Sequence, residues 1–344
     1  MTPDADLDVA RLTPSPPVTE PQAAHAVRAC FGLSGALTRL PGEADDNFLL
    51  DPGGQRYVVK FAHLRADPAV VDVQVRVLRH VESAAPGLPV PRVLPAVGGG
   101  LWTTVPDGPL AGRVVHALSY LDGRLLRAVT TDAPLRRALG GTPAELGRAL
   151  RGFDDPLVHR PLLWDLAQLP QLRPLLAGRS PGAELEEQFT RLTATLPSRL
   201  AGQRTQLVHN DFSPDNTLIS ADGRRAAGII DFGDVTVTAL VNDLAIAVAN
   251  MLGEGPDPFG PGLDLIVGYH AVTPLTAAEL DLLPDLILGR IVARIIISEW
   301  RAERFPENRA YVLRNTPRAW ELLHRLLSIA SEQTAARIQE ATRA

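Results

Sequence analysis

The pattern of apolar residues changes character near Gly123, and that change limits the folds open to this chain. Before it, apolar residues come in short runs broken by glycine and proline: DNFLLD and QRYVVKFAH on either side of Pro52-Gly53-Gly54, then GLPVPRVLPAVGGGLWTTV and RVVHALSYLDGRLL. Runs of this length with turn residues between them predict strands and hairpins. Two stretches in the same part carry helical spacing instead. They are PQAAHAVRACFGL, with Pro21 in a first-turn position, and Asp67 to Ser83, where Asp67-Pro68 makes an N-cap and first turn. Beyond Gly123 the apolar residues recur at helical spacing in long segments such as PAELGRALRGF, ELEEQFTRLTATL and LVNDLAIAVANML. The expectation is an α+β chain: a flexible leader over 1–20, a small antiparallel-sheet lobe over 21–120, and a mainly helical lobe over 121–344. Ser119 to Gly123 is the candidate hinge.

Composition removes several classes of function. A formal charge of −5 with dispersed arginines lacks the basic stripe of a nucleic-acid surface. No run of about 18 apolar residues offers a membrane span. The acidic, proline-bearing start MTPDADLDVARLTPSPPVTE is unlike a signal peptide, and one cysteine, Cys30, forms neither an intrachain disulfide nor a thiolate metal site. A cytoplasmic location is expected.

Of 34 basic side chains, 33 are arginine; Lys60, at the end of the second strand, is the one lysine. A compact ammonium fits among phosphate oxygens where a planar guanidinium fork does not, which gives this lysine a reason to be there. Further on, LVHNDFSPDNTLIS carries His209, Asp211 and Asn216 in the spacing H-x-D-x-x-x-x-N. Asp231 ends the apolar run Ala227 to Ile230, 15 residues beyond Asn216. In phosphoryl-transfer loops of this spacing a carboxylate stands beside the attacking hydroxyl and an amide oxygen binds magnesium five residues later, while a second carboxylate after an apolar strand holds the metal that bridges the phosphates. Acids grouped around a triphosphate need a hard divalent cation to join like charges, so magnesium (Mg2+) is implied.

HNDFSPDN resembles the signature shared by aminoglycoside, choline and homoserine kinases, and the likeness covers most of the chain. DDNFLL with YVVKFAH, SYLDGRLL, LRGFDDPLVHRPLLWDL and RAERFPENRAYVLRNTPRAWELL are similar to the hydroxylysine kinase branch. The resemblance implies a bilobal protein-kinase-like fold with ATP or GTP in the cleft. It implies Lys60 on the α- and β-phosphates, Asp211 as base, Asn216 and Asp231 on magnesium, and the nucleotide against Gln74 and the hinge residues Ser119, Tyr120 and Leu121. The acceptor would be the hydroxyl of an amino alcohol or hydroxy amino acid, 5-hydroxylysine first. The alternatives are aminoglycoside, homoserine, ethanolamine or choline, or an idle nucleotide-binding pseudokinase.

Two features depart from the wider pattern. Gln74 stands where a glutamate usually pairs with the lysine, and LPGEADDNFLL lacks G-x-G-x-x-G, so backbone amides near Glu43 to Asn47 would serve the phosphates. Around the motif, His209 is expected to support backbone geometry, with a general-base role the alternative. Asp234 reads as a cap or a second metal neighbour, and Asp243 as a cap and buttress of the catalytic loop. Trp164-Asp165 offers an aromatic wall and an anion for an ammonium group, or a buried tryptophan with a capping aspartate. Glu299, Arg301, Glu303 and Arg304 read as a solvated helix face, with Arg301 a candidate clamp for a carboxylate.

Overall fold

A computed structural model describes residues 15–42, 44–180 and 182–343. In chain order the elements are α1 (Glu20–Phe31), β1 (Ala36–Leu40), β2 (Asp46–Asp51), β3 (Tyr57–Phe61), α2 (Pro68–Ala84), β4 (Val93–Leu94), β5 (Thr103–Thr104), β6 (Val114–Ser119) and β7 (Arg124–Leu125). There follow α3 (Ala133–Ala149), α4 (Ala183–Leu200), β8 (Thr205–Val208), β9 (Thr217–Ile219), β10 (Ala226–Ile229), β11 (Thr236–Ala239), α5 (Leu240–Met251), α6 (Gly260–Val272), α7 (Ala277–Arg304), α8 (Arg309–Val312), α9 (Thr316–Leu327) and α10 (Ser331–Arg343).

The first lobe is an antiparallel sheet in the order β1-β2-β3-β6-β4, with β5 also on β6. Helix α1 starts from a capping box in which Thr19 and Gln22 satisfy each other's backbone N–H, and its buried Ala23, Ala26, Val27 and Phe31 join Phe48, Val59, Phe61 and Val115 of the sheet in one core. Val18 is fully buried, so part of the expected 1–20 leader packs into this core; residues 1–14 of that leader lie outside the described residues. Asp67 caps α2 through its bond from the Ala69 N–H, as its position before Pro68 predicts.

One strand pairs differently from expectation. Arg124–Leu125 does not extend the first sheet; it pairs with β9 in the second lobe. Both edges of β6 are already taken, by β3 on one side and by β4 and β5 on the other, so the chain leaving β6 docks elsewhere. The second lobe is mainly helical, with two small β units (β7-β9-β10 and β8-β11) set into it. The motif residues lie at the ends of these strands. The larger core gathers α3 to α7, α9 and α10, and also takes in Val73, Val77 and Val81 of α2. The result is the bilobal α+β, protein-kinase-like architecture. Among the described residues no helix is long and apolar enough to cross a membrane.

Candidate active site

The segment between β8 and β9 is shaped by buried polar contacts before any ligand is considered. Asn210 takes a left-handed backbone (φ 64°), and its N–H donates to Asp243 Oδ1 at 2.8 Å. His209 is fully buried. Its Nδ1 accepts the Asp211 N–H at 3.3 Å, which leaves Nε2–H to donate to the Ile230 carbonyl at 3.2 Å. Burial pushes this imidazole down to about 4, so it is neutral, and its ring stands edge-on to Phe232 at 4.9 Å. The histidine thus links the Asp211 loop to the strand that ends at Asp231.

Asn216 Nδ2 donates to Asp211 Oδ2 at 2.6 Å, and also to the Asp211 carbonyl at 3.2 Å. The Asn216 carbonyl in turn accepts the Ile230 N–H at 2.9 Å. Burial pushes the Asp211 carboxyl up to about 8; Asp234 and Asp231 add to this, while Arg290 and Arg294 oppose it. Asp231 has φ 64°, and its Oδ1 lies 3.8 Å from Lys60 Nζ, which crosses from β3 of the other lobe. Arg160, from the stretch LRGFDDPLVHRPLLWDL, holds the turn after Asp231 by donating to the carbonyls of Gly233 (2.8 Å) and Val235 (3.5 Å).

Gln74 is buried on α2 with its amide nitrogen 3.9 Å from where a Cβ on Gly233 would lie, so it reaches the Asp231 turn. At the hinge, the Ser119 and Tyr120 N–H groups donate to the carbonyls of Arg92 (2.7 Å) and Arg56 (2.9 Å), and the Arg56 guanidinium covers the Tyr120 ring at 4.5 Å. Leu121 packs toward Gly228. Near the expected phosphate loop, Glu43 lies outside the described residues, and Asn47 pairs in register with Lys60. Asp165 is buried; its Oδ1 accepts from the Ala167 N–H, Thr238 Oγ1 and Asn242 Nδ2. That is the geometry of a cap rather than of an anion presented to a ligand. The Trp164 ring faces a cation, the Arg290 guanidinium at 4.9 Å.

Three site residues were not legible in sequence. His116 lies opposite Lys60 on β6, its ring held down to about 3 by burial and by the lysine's charge. Arg290 of α7 approaches Asp211, Nη2 at 3.5 Å from Oδ1, and the charge of Arg294 one turn on acts on it as well. The available signal was their spacing of four inside the apolar run RIVARIIISEW, which places charge on a helix face that must otherwise be buried. Arg301, expected on a solvated face, is buried as well.

A carboxylate fixed by an amide, with a lysine reaching across a cleft to a second carboxylate, is the arrangement of kinase-like enzymes that pass a phosphoryl group to a hydroxyl. The match is specific: residues 36–280 fit the profile of the phosphotransferase enzyme family, and the chain belongs to that family. It is a small-molecule kinase, a phosphotransferase with an alcohol group as acceptor. It is 26% identical to mouse (Mus musculus) hydroxylysine kinase, over 92% of this chain and 91% of the relative. It is 29% identical to homoserine kinase of Rhizobium meliloti (strain 1021), over 74% of this chain and 77% of the relative. The structure of a microcompartment-associated aminopropanol kinase shares the fold, with TM-score 0.71, 19% identity, and coverage of 90% of this chain and 98% of that one.

Proposed function

We propose that this enzyme transfers the γ-phosphate of ATP or GTP to the hydroxyl of a hydroxy amino acid or amino alcohol, with 5-hydroxylysine the favoured acceptor. The observation that carries the reading is the meeting of Lys60 and Asp231 beside the Asp211–Asn216 pair, which brings the residues of all three sequence segments to one cleft. The acceptor preference draws on the likeness to hydroxylysine kinase along nearly the whole chain.

In this reading Asp211 accepts a hydrogen bond from the acceptor hydroxyl, orients its oxygen and takes its proton as the bond to phosphorus forms. Asn216 holds one carboxylate oxygen in place, and Arg290 favours the ionised form of the base. Lys60 meets the phosphates as a point charge, steered by Asp231. Residues fit a magnesium site in the donor chemistry they offer: Asn216 turns its Nδ2 toward Asp211, so its Oδ1 can face a cation, and the Asp231 side chain is half-exposed. When bound, magnesium would offset charge on the transferring phosphate.

The test is phosphate transfer by the purified protein with magnesium and ATP or GTP, against 5-hydroxylysine, homoserine, ethanolamine, choline and several aminoglycosides. One strongly preferred acceptor is expected, and Asp211→Asn is expected to keep nucleotide binding while losing turnover by roughly a hundredfold or more. Near-normal turnover in Asp211→Asn would remove Asp211 from the role of base. Nucleotide binding with no transfer to any alcohol would instead support an idle regulator.

A further inference from the structure

Helix α7 is buried along most of its length, yet it carries two arginines one turn apart whose charges both act on Asp211. The first is engaged through both terminal nitrogens, its Nε having no hydrogen-bond partner among the described residues. Arg290 Nη1 donates to the Trp164 carbonyl at 2.7 Å, its guanidinium lies over the Trp164 ring, and Nη2 stands 3.5 Å from Asp211 Oδ1. Arg294 is placed differently. Its Nη2 donates to a neutral group, Asn250 Oδ1, and among the described residues no carboxylate lies within ion-pair distance of it. Asn250 in turn donates to the Phe212 carbonyl at 3.3 Å, which ties this guanidinium to the residue following the base. The other charges acting on Arg294 are Arg290 and Arg318, which repel it, and Asp211, already shared with Arg290. A partly buried guanidinium with two like charges and a fraction of one carboxylate is short of an anion.

We propose that Arg294, backed by Arg290, receives the carboxylate of the acceptor, which makes that acceptor a hydroxy amino acid rather than a simple amino alcohol or an aminoglycoside. The inference rests on the kinase reading above and narrows its substrate class. The dimensions suit it. Four residues along a helix advance about 6 Å, and the carbon chain between the hydroxyl and the carboxylate of 5-hydroxylysine spans roughly 5–6 Å when extended. A hydroxyl on Asp211 therefore leaves the carboxylate one helical turn away, within reach of the second arginine. Carboxylate and guanidinium can pair through two parallel hydrogen bonds, which an amino alcohol cannot offer.

A second source of anion at the same place is the γ-phosphate of the nucleotide, and the experiment separates the two. Steady-state transfer is measured for the wild type, Arg294→Gln and Arg294→Lys, with 5-hydroxylysine and with 1,5-diaminopentan-2-ol, the same molecule without its carboxylate. The wild type is expected to prefer the amino acid by roughly thirtyfold or more in kcat/KM. Arg294→Gln should raise KM for the amino acid by a similar factor, with a smaller change in kcat, and bring the preference close to one; Arg294→Lys should recover part of it. A preference unchanged in Arg294→Gln, or a wild type that takes the diamino alcohol equally well, would overturn the subsite and leave the kinase reading intact. A rise in nucleotide KM common to both acceptors would assign Arg294 to the phosphate and overturn it too. Absence of transfer to any alcohol despite nucleotide binding would be the failure of the kinase reading itself, and the subsite would fall with it. Melting curves of both variants, matched to the wild type, exclude loss of fold as the cause.

Discussion

Asp243 illustrates what a single buried group costs and does. It lies 2% exposed at the start of α5, where burial pushes its carboxyl up to about 6 and the Asn210 N–H works the other way. An aspartate in the unfolded chain titrates near about 4. Because the folded value is the higher one, the folded state keeps a proton that the unfolded state releases. The stability tied to this group is complete below about pH 4 and is lost as pH rises through about 6, by on the order of 3 kcal/mol. Asp243→Asn keeps an acceptor for the Asn210 N–H and removes the titration. The melting temperature of the variant should therefore gain on the wild type between pH 4 and pH 7, and a gap that stays constant with pH would refute the shift. Residues of this kind divide into those the sequence discloses and those it does not. Lys60, Asp211, Asn216 and Asp231 are legible as candidates because the proposed chemistry needs fixed types at fixed spacings. Arg290 is not: its apolar helical run says that it is buried, but nothing local says which group it meets.

At the scale of elements, α3 is the instructive case. Gly140, Gly141 and Pro143 are poor helix formers, yet the helix runs unbroken over Ala133–Ala149. The reason lies in its partner α6. A Cβ on Gly140 would stand 2.0 Å from the Leu265 carbonyl oxygen, and one on Gly268 of α6 would stand 1.9 Å from the Arg137 carbonyl oxygen. The two helices meet backbone to backbone, and Asp264 fastens the crossing through Arg136 at 2.8 Å and Arg137 at 3.2 Å. Poor helix propensity is thus offset by close packing, a tertiary gain that no local window contains. Gly268→Ala should improve propensity by about 1 kcal/mol and still lose stability, because overpacking against backbone costs typically 1–3 kcal/mol and here nothing flexible can yield. Denaturant unfolding is expected to give a net loss of about 1–2 kcal/mol. A variant as stable as the wild type would mean that the crossing is looser than it stands here.

The molecule as a whole turns on how its two lobes are joined, and Lys60 tests that question. Its ion pair with Asp231 spans the cleft, but Asp231 is half-exposed and the 3.8 Å separation is long. Pairs of this sort contribute about 0–1 kcal/mol, too little to hold lobes together. Other contacts do more: α2 of the first lobe shares its buried valines with the core of the second, and Arg76 of α2 pairs with Asp155 at 2.7 Å. If the lysine serves the nucleotide rather than the fold, Lys60→Ala should melt within a degree or two of the wild type when unliganded. It should lose most of the upward shift that magnesium with ATP or GTP gives the wild type, because that shift grows as RT ln(1 + [L]/Kd) and each tenfold weakening removes about 1.4 kcal/mol of it. Lys60→Arg sharpens the point. In a chain that uses arginine at every other basic position, this substitution keeps the charge and changes its shape, so failure of Lys60→Arg to restore the shift would tie the requirement to a compact ammonium among phosphate oxygens. A fall in unliganded melting temperature with the nucleotide shift intact would make Lys60 a strut between lobes, and the nucleotide would then have to be held by other groups.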